Sequence, residues 1–188
     1  MHLIAGLGNP GPSYAGHRHN IGFILCDALH AAYGFPAWTS KFNALLSKGL
    51  IAGKPVLLCK PQTFMNKSGQ AVGETARFFQ IAPDQVWVLH DELDLPLAKI
   101  RVKLGGGHGG HNGLRDIDRH LGKDYWRLRF GIDHPGHKDQ VSPYVLSDFA
   151  KSEQQEVAYR VDDIVRDLPI WLQDGHEAFM TKLALRKE

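Results

Sequence analysis

Cysteine is almost missing from this chain of 188 residues: Cys26 and Cys59 are the only two, and they do not form a C-x-x-C pair. That excludes a disulfide framework and a cysteine-rich zinc site. Each lies in an apolar run, ILCDAL and VLLCK, so both read as buried, reduced thiols. Long hydrophobic runs are missing too. No stretch approaches the roughly 20 apolar residues of a membrane span, and no basic segment with an apolar stretch behind it opens the chain. A cytoplasmic protein without membrane association is the expectation. Net charge is only +2, so a nucleic-acid partner must show in how the charge is distributed rather than in its total. Neither G-x-S-x-G nor a reactive-cysteine signature occurs, which leaves a covalent nucleophile without support. Histidine is plentiful, eleven in all. Yet the close pairs His17/His19, His108/His111 and His134/His137 are neither at i, i+4 on a helix nor beside a cysteine pair, and no metal cofactor is expected.

What is present is an ordinary globular composition, 43% apolar and 22% charged, with no repeat or linker, so residues 1–188 read as one domain. Its most distinctive stretch runs from Lys99 to Arg129. A basic strand, KIRVK, leads into GGGHGGHNG, where six of the nine residues from Gly105 to Gly113 are glycine. So glycine-rich a run cannot hold a regular strand or helix and must be a loop whose backbone approaches something closely. Leu114, Ile117 and Leu121 mark the helix that follows, with Asn112 as its expected N-cap; its positive end faces the loop, where an anion would be welcome. Residues 99–132 carry a net +5, against +1 for residues 1–98 and −4 for residues 133–188. A phosphate-bearing partner is the reading this concentration favours.

HLIAGLG reads as a first strand, broken by NPGPSY, before a helix with Ile21, Ile24, Leu25, Ala28, Leu29 and Ala32 on one face and Gly34 as its stop. ALLSKGLI and PVLLCK pair antiparallel around AGK. Ser68 is the expected cap of a helix through Phe79, and QVWVLH is a buried strand ending on the acidic cluster DELD. In YWRLRFGI, Trp126, Leu128 and Phe130 face one way and Arg127 and Arg129 the other. DHPGHKDQVSP is a connection or lid. A long helix from Ser152 is expected to break near Pro169, and Asp174 to cap a last helix. Strands alternating with helices predict an α/β fold, a mixed, mostly parallel twisted sheet with helices on both faces.

Gly6, Gly8 and Gly11 match a dinucleotide-binding G-x-G-x-x-G, but Pro10 and Pro12 stand where its helix should begin and no acid follows at the right distance. More telling is that several loops carry amides or titratable groups: Asn9, His19 with Asn20, Asn66, Asp91, and His111 with Asn112. Loops leaving the carboxyl ends of parallel strands share one crevice, so these groups can meet. The chemistry that remains is a histidine acting as general base on water, with a carboxylate holding the imidazole in the right tautomer.

In order and spacing, GLGNPGPSYAGHRHNIG, KPQTFMNKSG, HDELDLPLAKIRVKLGGGHGGHNGLRDI and RLRFGIDHPG strongly resemble the bacterial-type peptidyl-tRNA hydrolase family. The resemblance implies a monomeric single α/β domain that cleaves the ester between a peptide and the 3′ ribose of its tRNA without a metal. It implies His19 as general base, Asp91 as the carboxylate orienting it, and Asn9 beside the scissile ester. Asn66 would also lie near the ester and, with Asn112, contact the peptide main chain, Tyr14, Phe64, Met65 and His111 would line the same crevice, and Lys103 and Arg129 would grip the tRNA 5′ phosphate. His17 before RHN, Asp133 before HPG, and Pro169 depart from the family pattern. A non-catalytic tRNA-binding module or a metal-dependent peptidase would each use part of the pattern and leave the rest idle.

Overall fold

The computed structural model describes residues 1–186. In chain order its elements are β1 (His2–Gly6), α1 (Ile21–Ala32), β2 (Thr39–Lys41), β3 (Ala44–Ile51), β4 (Lys54–Pro61), α2 (Ser68–Phe78), β5 (Val86–Glu92), β6 (Ile100–Leu104), α3 (Asn112–Leu121), β7 (Trp126–Gly131), α4 (Val141–Val145), α5 (Lys151–Asp174) and α6 (His176–Leu185). The strands form one sheet in the order β2-β3-β4-β1-β5-β7-β6. The four central strands, β4, β1, β5 and β7, are mutually parallel, and antiparallel neighbours close both edges. Strand alternation sorts the core: Ile4, Trp87 and Leu89 pack with α1, α5 and α6, while Leu3, Ala5, Val86 and Val88 pack with α2 and α3. Helices on both faces explain why residues 86–89 are a continuous apolar run rather than an alternating one. Among the described residues no helix is long and apolar enough to cross a membrane. Cys26 and Cys59 are buried free thiols.

One close approach positions everything that follows. A Cβ on Gly22 would lie 2.3 Å from both the Leu7 nitrogen and the Leu89 oxygen, so only glycine lets the start of α1 lie directly on the carboxyl ends of β1 and β5. The turn before α1, Arg18–Asn20, is thereby pressed against the end of β5.

Three expected helix boundaries differ, two of them because a distant group intervenes. Helix α5 runs unbroken through Pro169. A proline lacks the N–H that the Val165 carbonyl would accept from, and the Tyr33 hydroxyl donates to that carbonyl instead, at 2.5 Å. Ser68 is the first residue of α2 rather than its cap, and its hydroxyl donates back to the Met65 carbonyl at 2.7 Å. The amides of Gly69 and Gln70 donate to Asp116 Oδ2 of α3 at 2.8 and 3.3 Å, so a neighbouring helix supplies the cap. Asp174 closes α5, and Gly175, with φ +96°, makes the corner into α6. The 137–150 connection contains a 3-10 turn at Lys138–Gln140 followed by α4.

Candidate active site

Asp91, next to last in β5, is only 3% exposed. A buried carboxylate is costly unless its oxygens are paired, and both are: Oδ2 accepts from His19 Nδ1 at 2.7 Å and Oδ1 from His111 Nε2 at 2.8 Å. The tautomers follow from the remaining ring nitrogens. His111 Nδ1 accepts from the amides of Gly113 and Leu114 at 3.1 and 3.3 Å, so it carries a lone pair and the proton sits on Nε2. Asp91 is thus the acceptor on both sides. His19 donates through Nδ1 and keeps Nε2 as a lone pair, in a ring that lines the cavity described below.

Burial works to lower the pKa of His19, but the charge of Asp91 and the hydrogen bond to it prevail and hold it above the ordinary imidazole value. Burial would push the Asp91 carboxyl up; the flanking His19 and His111 instead hold it well below the usual carboxylate range. His90, on the opposite face of β5, places Nδ1 2.7 Å from the Asp91 carbonyl oxygen, and burial followed by the nearby His111 pushes it down to about 3.

The turn that carries His19 is anchored on both sides. The buried Arg18 guanidinium bonds Glu153 Oε1 at 2.9 Å and Ser147 Oγ at 2.6 Å, and lies 4.0 Å from the Tyr144 ring centre. Asn20 exchanges two bonds with the Asn9 backbone, each 2.9 Å, and Asn9 Oδ1 accepts from the Met65 amide at 2.7 Å. With its oxygen thus occupied, Asn9 presents its side-chain NH₂ to the cavity it lines. The pattern RHN drew attention to His19 and Asn20 as loop groups, without a partner for either and without a task for Arg18. Arg18 and Asn20 show their roles only once Glu153, Ser147 and Asn9 are seen beside them.

A cavity of about 530 Å³ joins Asn9, His19, Met65, Asn66, Asp91, His111 and Asn112, with Phe64 at its lip. Val141, Val145 and Leu146 of the 137–150 segment form its far wall. Tyr14 does not line it but meets the Phe64 ring edge-on at 6.0 Å. Lys103 and Arg129 also lie outside it. Strand register sets Arg101 opposite Arg129 and Lys103 opposite Arg127, which puts all four on one face. Arg129 Nε donates to Glu92 Oε1 at 2.9 Å, and Glu92 lines the cavity. Arg127 is buried; it donates to the carbonyls of Gly107 and Gly106 at 2.8 and 3.0 Å and pairs with Asp118 at 3.4 Å. What the glycine loop approaches closely is therefore this guanidinium.

The expected cap of α3 is corrected as well. Asn112 is its first residue and His111 the cap, because the imidazole Nδ1 takes the amides that Asn112 was expected to satisfy. The positive end of α3 consequently faces a ring nitrogen instead of an open anion site. His17 meets Tyr14 edge-on at 5.4 Å while its backbone bridges Asp148, and it does not line the cavity. Asp133, at φ +66°, accepts from the Leu97 amide at 3.2 Å.

His19, Asp91 and His111 also offer ligand atoms within 4.8 Å of one another, a grouping that sequence spacing did not suggest. Both carboxylate oxygens already share protons with the imidazole nitrogens that face them, and the second nitrogen of His111 caps α3. A cation would have to displace both imidazole protons, so the donor set suits a hydrogen-bonded triad better than a metal.

The sequence profile described as peptidyl-tRNA hydrolase matches residues 3–188. A peptidyl-tRNA hydrolase of Rhodospirillum centenum is 55% identical over 98% of this chain and 82% of its own length, and one of Gluconobacter oxydans is 50% identical over 98% of both. The crystal structure of a peptidyl-tRNA hydrolase from Acinetobacter baumannii superposes with a TM-score of 0.93 at 43% identity, covering 97% of this chain and 94% of that one. Matched over nearly all its length in sequence and fold, the chain belongs to the peptidyl-tRNA hydrolase family.

Proposed function

We propose that this chain hydrolyses the ester between a peptide and the 3′ ribose of tRNA, releasing tRNA after premature termination, with His19 as general base. The observation that carries this reading is the one-way order of hydrogen bonds from His111 and His19 into Asp91, which leaves His19 Nε2 as a free base in the cavity. Water loses a proton to Nε2 as its oxygen attacks the ester carbonyl. The Asn9 NH₂ is a donor for the oxyanion that forms. As the intermediate collapses, the imidazolium returns its proton to the departing 3′ oxygen, giving a peptide acid and free tRNA. Asn66 and Asn112, with Phe64 and Met65, receive the peptide next to the ester. The same reading takes the protein as a monomer acting in the cytoplasm.

The test is tRNA release from N-acetyl-aminoacyl-tRNA by chelator-treated protein. Release from the acetylated substrate and far slower release from the unblocked one are expected. An unpaired ammonium beside amides built for a peptide group is expensive to desolvate. Activity returning only with added zinc or another divalent ion, on a minimal substrate that needs no Mg²⁺ to fold, would overturn the metal-free mechanism.

Lys103 and Arg129 are assigned to a tRNA phosphate. Their support is a shared face beside the glycine loop, outside the cavity. Lys103→Ala or Arg129→Ala should raise KM for intact substrate but not for a peptidyl nucleoside, and flatten the salt slope of tRNA binding by about one unit per contact. Equal loss on both substrates would put these residues at the reacting centre.

A further inference from the structure

A second cavity, about 360 Å³, opens beside the first, and the two share Asn66 and Asn112. Lys67, Arg115 and Arg119 surround it, and Asp116 is the one acid in its lining. That acid is engaged elsewhere: Oδ2 accepts from the first amides of α2, and Oδ1 lies 3.7 Å from His120. Among the described residues none of the three cations has a carboxylate within ion-pair distance, whereas Arg18, Arg127, Arg129, Arg160 and Arg186 each hold one. Arg115 reaches only the Asn112 side-chain oxygen, at 3.4 Å. The groove is therefore a concentration of positive charge without an internal counter-ion, one asparagine pair away from His19.

Its place along the sheet says which part of a substrate would meet it. Lys67 follows β4 and Arg129 lies in β7, with β1 and β5, which carry Asn9 and Asp91 at their ends, in between. Two basic regions thus flank the reacting centre on opposite sides. With the tRNA body on the β7 side, the chain that crosses Asn66 and Asn112 toward β4 is the acyl side of the ester. Resting on the peptidyl-tRNA reading above, we propose that Lys67, Arg115 and Arg119 form a subsite for the nascent peptide that favours acidic side chains upstream of the ester.

Three substrates on one tRNA test this, with N-acetyl-Glu-Glu, N-acetyl-Gln-Gln or N-acetyl-Lys-Lys preceding the same esterified residue. Wild type should prefer Glu over Gln by about three- to tenfold in kcat/KM at low salt and rank Lys last, the scale expected of solvated ion pairs. Lys67→Gln with Arg119→Gln should bring the Glu/Gln ratio to about one; a ratio cancels any effect common to both substrates. The blocked peptides acetyl-Glu-Glu-Gly-amide and acetyl-Gln-Gln-Gly-amide, which need no ester, are also titrated by NMR. Selective binding of the acidic one, lost in the variant, upholds the groove even if the chain hydrolyses no ester. A wild type without the Glu preference in either assay overturns the proposal, as does a variant that keeps it. So does an equal loss on all three substrates with a flatter salt dependence, which would assign the groove to RNA phosphate.

Discussion

His19→Ala is expected to lower kcat/KM on N-acetyl-aminoacyl-tRNA by about 10²- to 10⁴-fold while leaving tRNA affinity close to wild type. The size of the loss follows from the absence of a substitute. Both nitrogens of His111 are engaged, one by Asp91 and one by the first amides of α3. His90 is buried, and its Nδ1 is held by the Asp91 carbonyl. Asp91 is held too far toward its ionised form to exchange protons near neutral pH. His19→Asn serves as the second variant, since an amide can still donate to Asp91, and thermal melts separate lost chemistry from lost fold. A loss below about tenfold in a folded variant would mean that the base is another group.

Asp91→Asn is expected to cost between about ten- and a hundredfold, less than His19→Ala and more than Glu92→Gln or Asp94→Asn. The carboxylate accepts from two imidazoles, but an amide has only one oxygen. His111 is fixed as an Nε2–H donor by its role at α3, so the amide oxygen must face it and the NH₂ must face His19. His19 can meet that NH₂ only by presenting a lone pair at Nδ1. Its proton then moves to Nε2, the atom that should be the base. The pH profile separates this from simple disorder. Because the carboxylate raises the pKa of His19, wild-type kcat/KM should climb with pH through a midpoint above the ordinary imidazole value of 6.5. Removing the charge should shift that midpoint down while the plateau falls. An unmoved midpoint, or a greater loss in Glu92→Gln, would mean that the wrong carboxylate has been assigned.

The same shifts fix the sign of the stability change. A raised His19 pKa adds stability below its unfolded value and loses it as pH rises through the folded one; a depressed Asp91 pKa adds stability above the carboxylate range and loses it in acid. The pair therefore stabilises the fold most between those two ranges.

Much of this was legible locally. The alternation in β7, the apolar run of β5 and the amphipathic faces of α1 and α2 are periodic signals, and periodicity is decided within a few residues. What could not be read was any boundary set by a partner far along the chain. Pro169 looks like a break until Tyr33, 132 positions away from Val165, supplies the missing donor. Ser68 looks like a cap until Asp116 does the work from α3. At the site, the loops drew attention to His19, Asp91 and the three asparagines, the resemblance supplied their roles, and the structure brings all of them to one cavity. Arg127 had the correct face, but its burial under the glycine loop was not legible, because alternation tells which side a residue points to but not whether a loop will fold over it. Lys67, Arg115 and Arg119 come from separate stretches, and nothing in either stretch announces a shared groove.

The glycine loop and the helix after it promised an anion at the start of α3, and in one sense the structure provides it. Two amides at the positive end of that helix point into His111 Nδ1, and the opposite nitrogen of the same ring points into Asp91. Hydrogen bonds in series polarise one another. Electron density drawn toward the helix leaves the Nε2 proton more acidic and a stronger donor to the carboxylate. The positive end of α3 thus reaches, through an aromatic ring, a buried anion that it never touches, and adds to the hold that His19 and His111 have on the Asp91 charge.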